Sequence, residues 1–328
     1  MRYIKYLFQV SIFLFSFSHA KGQSPLVDSL FHPDSLRRIV EVLASDSFQG
    51  RLTGTDENLK AALFIAEEFR KAGLHPVAGN AGFFQQIQPS WYNVIGAIKG
   101  RSKPGQLIIF SAHYDHIGTR SNNPDPRSLG RIEKDDEIYN GANDNASGVS
   151  AVISLSKYFK ALNNNERTLI FVAFTGEELG LIGSQFLARN WETDSIVAMI
   201  NIEMIGRGEY QNSRPFITGY EKSNFIDVLN RNYRILAGKY SEKEFFKADQ
   251  YLREFLFMRS DNYPFALKGV PAHTITVTTP DDIFYHSPND ETETLDFDLM
   301  KKVIHAIAIS STGLVEGVDK VTRIKKAN

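Results

Sequence analysis

From Tyr92 onward, short runs of consecutive apolar residues alternate with longer segments whose apolar positions recur every three or four residues. The runs "YNVIGAIKG", "QLIIFSAH", "TLIFVAF", "IVAMINIEMIG", "PFITGY" and "PAHTITVT" read as strands. Helices are expected from about Ala146, from about Glu178, near Asn224 to Leu236 and near Asp296 to Gly313, the last with Phe297, Met300, Ile304 and Ile307 in register. Upstream, Ser35 to His75 reads as helical, with Leu59, Ala62, Leu63, Ala66 and Phe69 on one face and Gly73 and Pro76 as stop signals. The alternation predicts an α/β fold, a three-layer αβα sandwich around a mainly parallel, mixed central sheet. No internal repeat or low-complexity linker divides the chain, so residues 21–328 are expected to form one domain, with helical support at about 34–75 and the α/β core at about 90–328.

Composition narrows the partners. Apolar residues make up 42% of the 328 and aromatics 12%, ample for a core, and 37 basic against 38 acidic residues leave a formal net charge of −1. Neither nucleic acid nor a membrane surface is an expected partner of such a chain. The absence of cysteine excludes disulfides, thiolate metal sites, a cysteine nucleophile and an acylated cysteine. At the N-terminus, Arg2 and Lys5 precede an apolar stretch from Tyr6 to Phe17 and the small-x-small sequence Ser18-His19-Ala20. Residues 1–20 are therefore expected to be a signal peptide cleaved after Ala20, sending the chain to a periplasm or outside the cell.

Ligands of open α/β sheets bind outside the carboxyl ends of the strands, and the polar residues of interest fall there repeatedly. His113 ends "LIIFSAH", Glu177 and Glu178 follow "LIFVAF", and Glu203 ends "VAMINIE". Asp144 in "NGANDNASG" and His286 in "FYHSPND" complete the set. Each has an ordinary explanation alone: a core histidine, a helix N-cap, a loop histidine, an acidic first helical turn. If Asp144, Glu177, Glu178 and Glu203 converge, however, four carboxylates in one cleft repel unless a cation neutralises them. Two imidazoles with three carboxylates suit zinc, and a bridging carboxylate would hold two ions.

Taken in order over roughly Tyr92 to Asp290, "AHYDHIG", "GANDNASG", "GEELGLIGS", "NIEMIG" and "YHSPND" resemble the zinc aminopeptidases of the M28 peptidase family. The upstream "FQGRLTGT" and "FRKAGLHP" resemble that family's lead-in. The resemblance implies two Zn²⁺ ions, with Asp144 bridging, His113 and Glu203 completing one ion, and Glu178 and His286 the other. It further implies Glu177 as the general base that takes a proton from metal-activated water, and Asp115 as a partner orienting the His113 imidazole. A cis peptide between Asp144 and Asn145, and Tyr285 as a hydrogen-bond donor to the tetrahedral oxyanion, follow from the same likeness. One position departs from the pattern, since the family usually shows aspartate where this chain has Glu203.

The implied substrates are peptides with a free N-terminus, attacked by a monomeric exopeptidase. A glutaminyl-peptide cyclotransferase on the same fold and a non-catalytic peptidase-like binding protein are the alternative readings. The polar segment "TRSNNPDPRSLGRIEKDDEIYN", Thr119 to Asn140, is expected to be a loop at the rim of the cleft.

Overall fold

Every residue of Arg167–Phe174 is buried, the pattern of a strand covered on both faces, and this strand pairs in parallel with the equally apolar end of Lys103–His113. A computed structural model describes residues 29–208, 213–238 and 244–326; the expected signal peptide lies outside the described residues. The chain begins with helices α1 (Pro33–Leu43) and α2 (Asp56–Lys71), followed by strands β1 (His75–Pro76), β2 (Phe84–Gln88), β3 (Trp91–Ile98) and β4 (Lys103–His113). Next come α3 (Gly148–Leu162), β5 (Arg167–Phe174), α4 (Ile182–Asn190), β6 (Ile196–Ile202), β7 (Phe216–Ile217) and α5 (Phe225–Leu236). The remainder is β8 (Lys247–Ala248), α6 (Asn262–Leu267), β9 (Ala272–Thr276), α7 (Phe297–Ser310) and α8 (Thr312–Val315).

The sheet runs β1-β3-β5-β4-β6-β9-β7-β8, with β2 paired to β3. Its centre, β5-β4-β6-β9, is parallel throughout, and antiparallel contacts of β3 with β5 and of β7 with β9 flank it. Alternate residues of each central strand enter different cores, as a period of two requires. Ile108, Phe110 and Ala112 of β4 join Leu169, Phe171 and Ala173 of β5 beneath α1, α2, α3, α5 and α7. Ile109, Ile170, Val172 and Phe174 face the other way, against Leu187 of α4 and Phe265 of α6. This is the expected three-layer αβα sandwich around a mixed sheet.

Three local expectations need correction. The segment from Ser35 to His75 is two helices separated by the turn Asp46–Arg51, where Gly50 has φ +66°. On α2 the buried stripe is Asn58, Ala62, Ile65, Ala66 and Phe69, whereas Leu63 is 52% exposed. Each residue turns the helix by about 100°, so Leu63 points well away from a stripe centred on Ala62 and Phe69. The helix expected from Glu178 begins instead at Ile182, after a turn with left-handed backbone at Gly176, Gly180 and Leu181.

Candidate metal centre

Because β4, β5 and β6 are parallel, their carboxyl ends share one edge, and His113, the Glu177-Glu178 pair and Glu203 leave the sheet there. The fourth contributor is the turn before α3. Gly141 has φ +60°, and a Cβ on it would lie 2.4 Å from the Asp144 carbonyl oxygen and 2.6 Å from the His116 ring. The peptide between Asp144 and Asn145 is cis. The cap position of α3 is Ser147, so Asp144 is not the helix cap that its position before "NASGVSAV" offers. The Asp290 carboxylate accepts the backbone N–H of Asn143 at 3.0 Å and of Asp144 at 3.1 Å, and it pairs with Arg207 at 2.6 Å.

All five expected ligands and the expected base come together. Oδ1 of Asp144 lies 3.2 Å from Nε2 of His113, and its Oδ2 lies 3.4 Å from Nε2 of His286. Each imidazole has a glutamate of its own: Glu203 Oε1 is 2.9 Å from His113 Nε2, and Glu178 Oε2 is 3.2 Å from His286 Nε2. Donor atoms of His113, Glu177 and Glu203 all fall within 4.8 Å of one another, as do those of His113, Asp144 and Glu178. The remaining ring nitrogens fix the tautomers. Nδ1 of His113 donates to the Asp115 backbone carbonyl at 3.0 Å, and Nδ1 of His286 donates to the Ser128 carbonyl at 2.6 Å. The rim loop thus orients one imidazole directly.

Asp115 orients His113 through its main chain; its carboxylate is 3.8 Å away and is engaged elsewhere. It accepts the Thr53 hydroxyl at 2.9 Å and the backbone N–H groups of Glu177 at 3.2 Å and Glu178 at 3.3 Å. Thr53 belongs to the lead-in "GRLTGT", so that segment serves to pin the two glutamates. Tyr285 lines the pocket that opens onto the cluster, and its ring stacks on His286 with centroids 3.9 Å apart. Burial, reinforced by Glu178 and Asp144, raises its hydroxyl pKa.

The cluster is electrostatically unbalanced as built. Burial works against charge at His286, but Glu178 and Asp144 outweigh it and push the imidazole up to about 11. His113 is likewise held well above its usual range, against burial, chiefly by Glu203 and Glu177. Burial opposes the Glu178 charge too, yet His286 and His116 bring it down to about 2, and Asp144 is held well below the usual carboxylate range by His113 and His286. Burial dominates at Glu177 and Glu203, which are both raised. Raised imidazoles beside raised carboxylates mark a site that favours added positive charge. Nε2 of His286 is buried without a hydrogen bond, aimed between Asp144 and Glu178, and the nitrogen and oxygen donor set is that of zinc. The residues present fit the metal.

Several neighbours escaped the sequence reading. His116, three residues after His113 in the quoted "AHYDHIG", donates from Nδ1 to Glu178 Oε1 at 2.8 Å. Ser260 donates to Glu203 Oε2 at 2.8 Å. Asp261 is fully buried, neither carboxylate oxygen makes a well-formed hydrogen bond, and burial pushes it up to about 7 against the easing influence of His113 and Ser184. Arg51, also fully buried, donates to the carbonyls of Tyr114, Leu43, Asn140 and Gly141. His116, Asp290 and Arg51 lay inside quoted motifs, though Arg51 acts entirely on backbone; Ser260 and Asp261 follow no strand end.

A model of Peptidase family M28 matches residues 93–310. A probable leucine aminopeptidase of Trichophyton verrucosum is 28% identical over 296 residues, which are 86% of this chain and 73% of that protein. A probable zinc metalloprotease of Phaeosphaeria nodorum is 32% identical over 123 residues, 36% of this chain and 24% of that protein. Among solved structures, BSAP, a zinc aminopeptidase from Bacillus subtilis, superposes with a TM-score of 0.67 at 16% identity, covering 90% of this chain and 98% of its own. Porphyromonas gingivalis glutaminyl cyclase gives a TM-score of 0.65 at 17% identity, covering 87% and 99%. At those identities the structural likeness is one of fold.

Proposed function

Because the chain belongs to peptidase family M28, we propose that it is a zinc-dependent aminopeptidase that removes the N-terminal residue of peptides, with Glu177 as general base. The observation that carries this reading is Asp144, whose two carboxylate oxygens face two different imidazoles, each accompanied by its own glutamate. Two Zn²⁺ ions would fit that arrangement, with His113 and Glu203 available to hold one, Glu178 and His286 the other, and Asp144 available to both. When bound, zinc acidifies a water and polarises the carbonyl of the bond to be cut.

The chain's own groups do the rest. Glu177 stands with His113 and Glu203, its backbone N–H held at 3.2 Å by Asp115, and its carboxylate takes the proton and passes it to the leaving amine. Burial raises its pKa above the usual carboxylate range, which suits a proton-accepting role. Tyr285 donates to the oxygen that becomes negative. The acidic surroundings of Glu177 and Glu203 hold the substrate's α-ammonium, which makes the cut an N-terminal one. Export with cleavage after Ala20 and action as a monomer belong to the same proposal, checked by intact mass of the secreted protein and by light scattering.

The deciding experiment is metal analysis of the purified chain beside release of amino acids from a panel of aminoacyl-nitroanilides. Zinc-dependent release of free amino acids is expected. Formation of pyroglutamate from Gln-initiated peptides, without release of amino acids, would replace this reading with the cyclotransferase one; zinc binding without turnover of any kind would favour the binding protein.

A further inference from the structure

The pocket over the cluster carries one guanidinium among its described lining residues. Beyond the metal-site residues its walls are apolar or hydroxylic, with Met204, Leu256, Thr276, Thr278 and Pro280 among them, and among the described residues Arg259 is the one lysine or arginine on them. Asp144, Glu177, Glu178 and Glu203 line the same pocket, yet Arg259 makes no ion pair with any of them and no side-chain hydrogen bond among the described residues. Other arginines near the site are fully committed: Arg51 to four carbonyls, Arg207 to Asp282 and Asp290 at 2.6 Å each.

The root of the Arg259 side chain is nevertheless fixed beside the chemistry. Its backbone N–H donates to Leu256 at 3.1 Å, and the next residue, Ser260, holds Glu203. Its charge reaches the Tyr285 hydroxyl, where it opposes the upward push of the carboxylates. A substrate carboxylate entering this pocket would meet repulsion from the acidic cluster, and Arg259 is the group placed to offset it. Guanidinium is also the side chain whose planar fork matches a carboxylate with two parallel hydrogen bonds.

We propose that Arg259 is a specificity residue that pairs with a carboxylate of the peptide substrate, supplied by the free C-terminus of a dipeptide or by an acidic side chain. The proposal rests on the aminopeptidase reading of the same pocket, and it makes the enzyme one for short or acidic peptides rather than for neutral amides in general.

The test uses the zinc-loaded enzyme and the variants Arg259→Gln and Arg259→Lys, with kcat/KM measured on matched pairs: Leu-Gly against Leu-Gly amide, and Glu-nitroanilide against Gln-nitroanilide. For Arg259→Gln, the ratio for the carboxylate-bearing member to its neutral counterpart should fall roughly 10- to 100-fold, mainly through KM, as loss of a charged hydrogen bond requires. Arg259→Lys should recover part of it. A fall confined to the Leu-Gly pair assigns the C-terminal carboxylate, and one confined to the Glu pair assigns the side chain. If both ratios stay at their wild-type values while the neutral substrates are turned over, Arg259 is a solvated rim residue and the proposal is wrong, with the aminopeptidase reading intact. No turnover of any substrate by wild-type enzyme overturns both.

Discussion

Ser260 donates its hydroxyl to Oε2 of Glu203 at 2.8 Å, while Oε1 of the same carboxylate lies 2.9 Å from Nε2 of His113. The longer side chain that sets Glu203 apart from the family's aspartate thus divides its two oxygens between the metal centre and a tether. Asn201 in turn donates to the Ser260 oxygen at 2.7 Å, so the tether leads back into β6. Glu203→Ala should lose about one zinc per chain and most activity, whereas Glu203→Asp, shorter by one methylene, should keep more of both. Ser260→Ala should fall between, about 10-fold down in kcat/KM, because the carboxylate stays but its orientation does not. Metal content and kinetics of Glu203→Ala that both match wild type would remove Glu203 from the site.

Glu177→Gln should lower kcat by about 10²- to 10⁴-fold, the range of a lost general base, while zinc content stays at the wild-type level. The substitution keeps shape and the backbone bond to Asp115, so loss of turnover with metal retained isolates proton transfer. Full activity in this variant would end the role assigned to Glu177.

Asp144 faces both imidazoles, so Asp144→Asn should reduce metal at both positions together and lower the melting temperature in zinc-containing buffer by several degrees, about 5 °C. Chelation of the wild-type protein should shift its melting temperature the same way and stop turnover. Equal activity in a sample verified to be free of metal would refute the metalloenzyme reading.

His273, buried in β9, should make stability depend on pH apart from the metal centre. Its Nδ1 donates to the Thr218 carbonyl at 3.0 Å, so its Nε2 must accept from Ser223 Oγ at 2.7 Å, and the ring stacks on Phe225. Burial is the main cause of a pKa lowered from 6.5 to about 4, with Lys222 helping and Glu221 opposing. The unfolded chain therefore binds the proton more readily than the folded one. Stability from this residue is fully present above about pH 6.5 and is lost as the pH falls toward about 4, by on the order of 3 kcal/mol in all. Urea midpoints of wild type and His273→Gln across pH 4 to 7 check this: the wild-type slope should be the steeper, and parallel slopes would contradict it.

The parts legible in the sequence were those where a side chain breaks a regular pattern. A glutamate or histidine at the end of an apolar strand, as at His113 and Glu203, is conspicuous, and parallel strands bring such ends to one edge without further information. Glu177 and Glu178 were legible as a pair but not in their setting. Acidic residues after a glycine look like a first helical turn, whereas the Asp115 carboxylate captures both of their backbone N–H groups and Leu181, with φ +62°, delays the helix to Ile182. The holds on His113 and His286 come from the carbonyls of Asp115 and Ser128, and every residue has a carbonyl, so no residue type could announce them. Leu63 misled because an apolar residue next to a stripe reads the same as one inside it until the packing partners are known.

The four carbonyls that Arg51 gathers come from α1, from the stretch after β4 and from the turn before Asp144. The segments "AHYDHIG" and "GANDNASG" are consequently not portable cassettes. Transplanted into a related scaffold they would carry His113 and Asp144 and leave behind the cation that sets the course of their backbone. A library that shuffles fragments between relatives should place its crossovers so that Arg51 travels with Gly141; breaking that pair separates letters that spell a site from the chain path that makes them one.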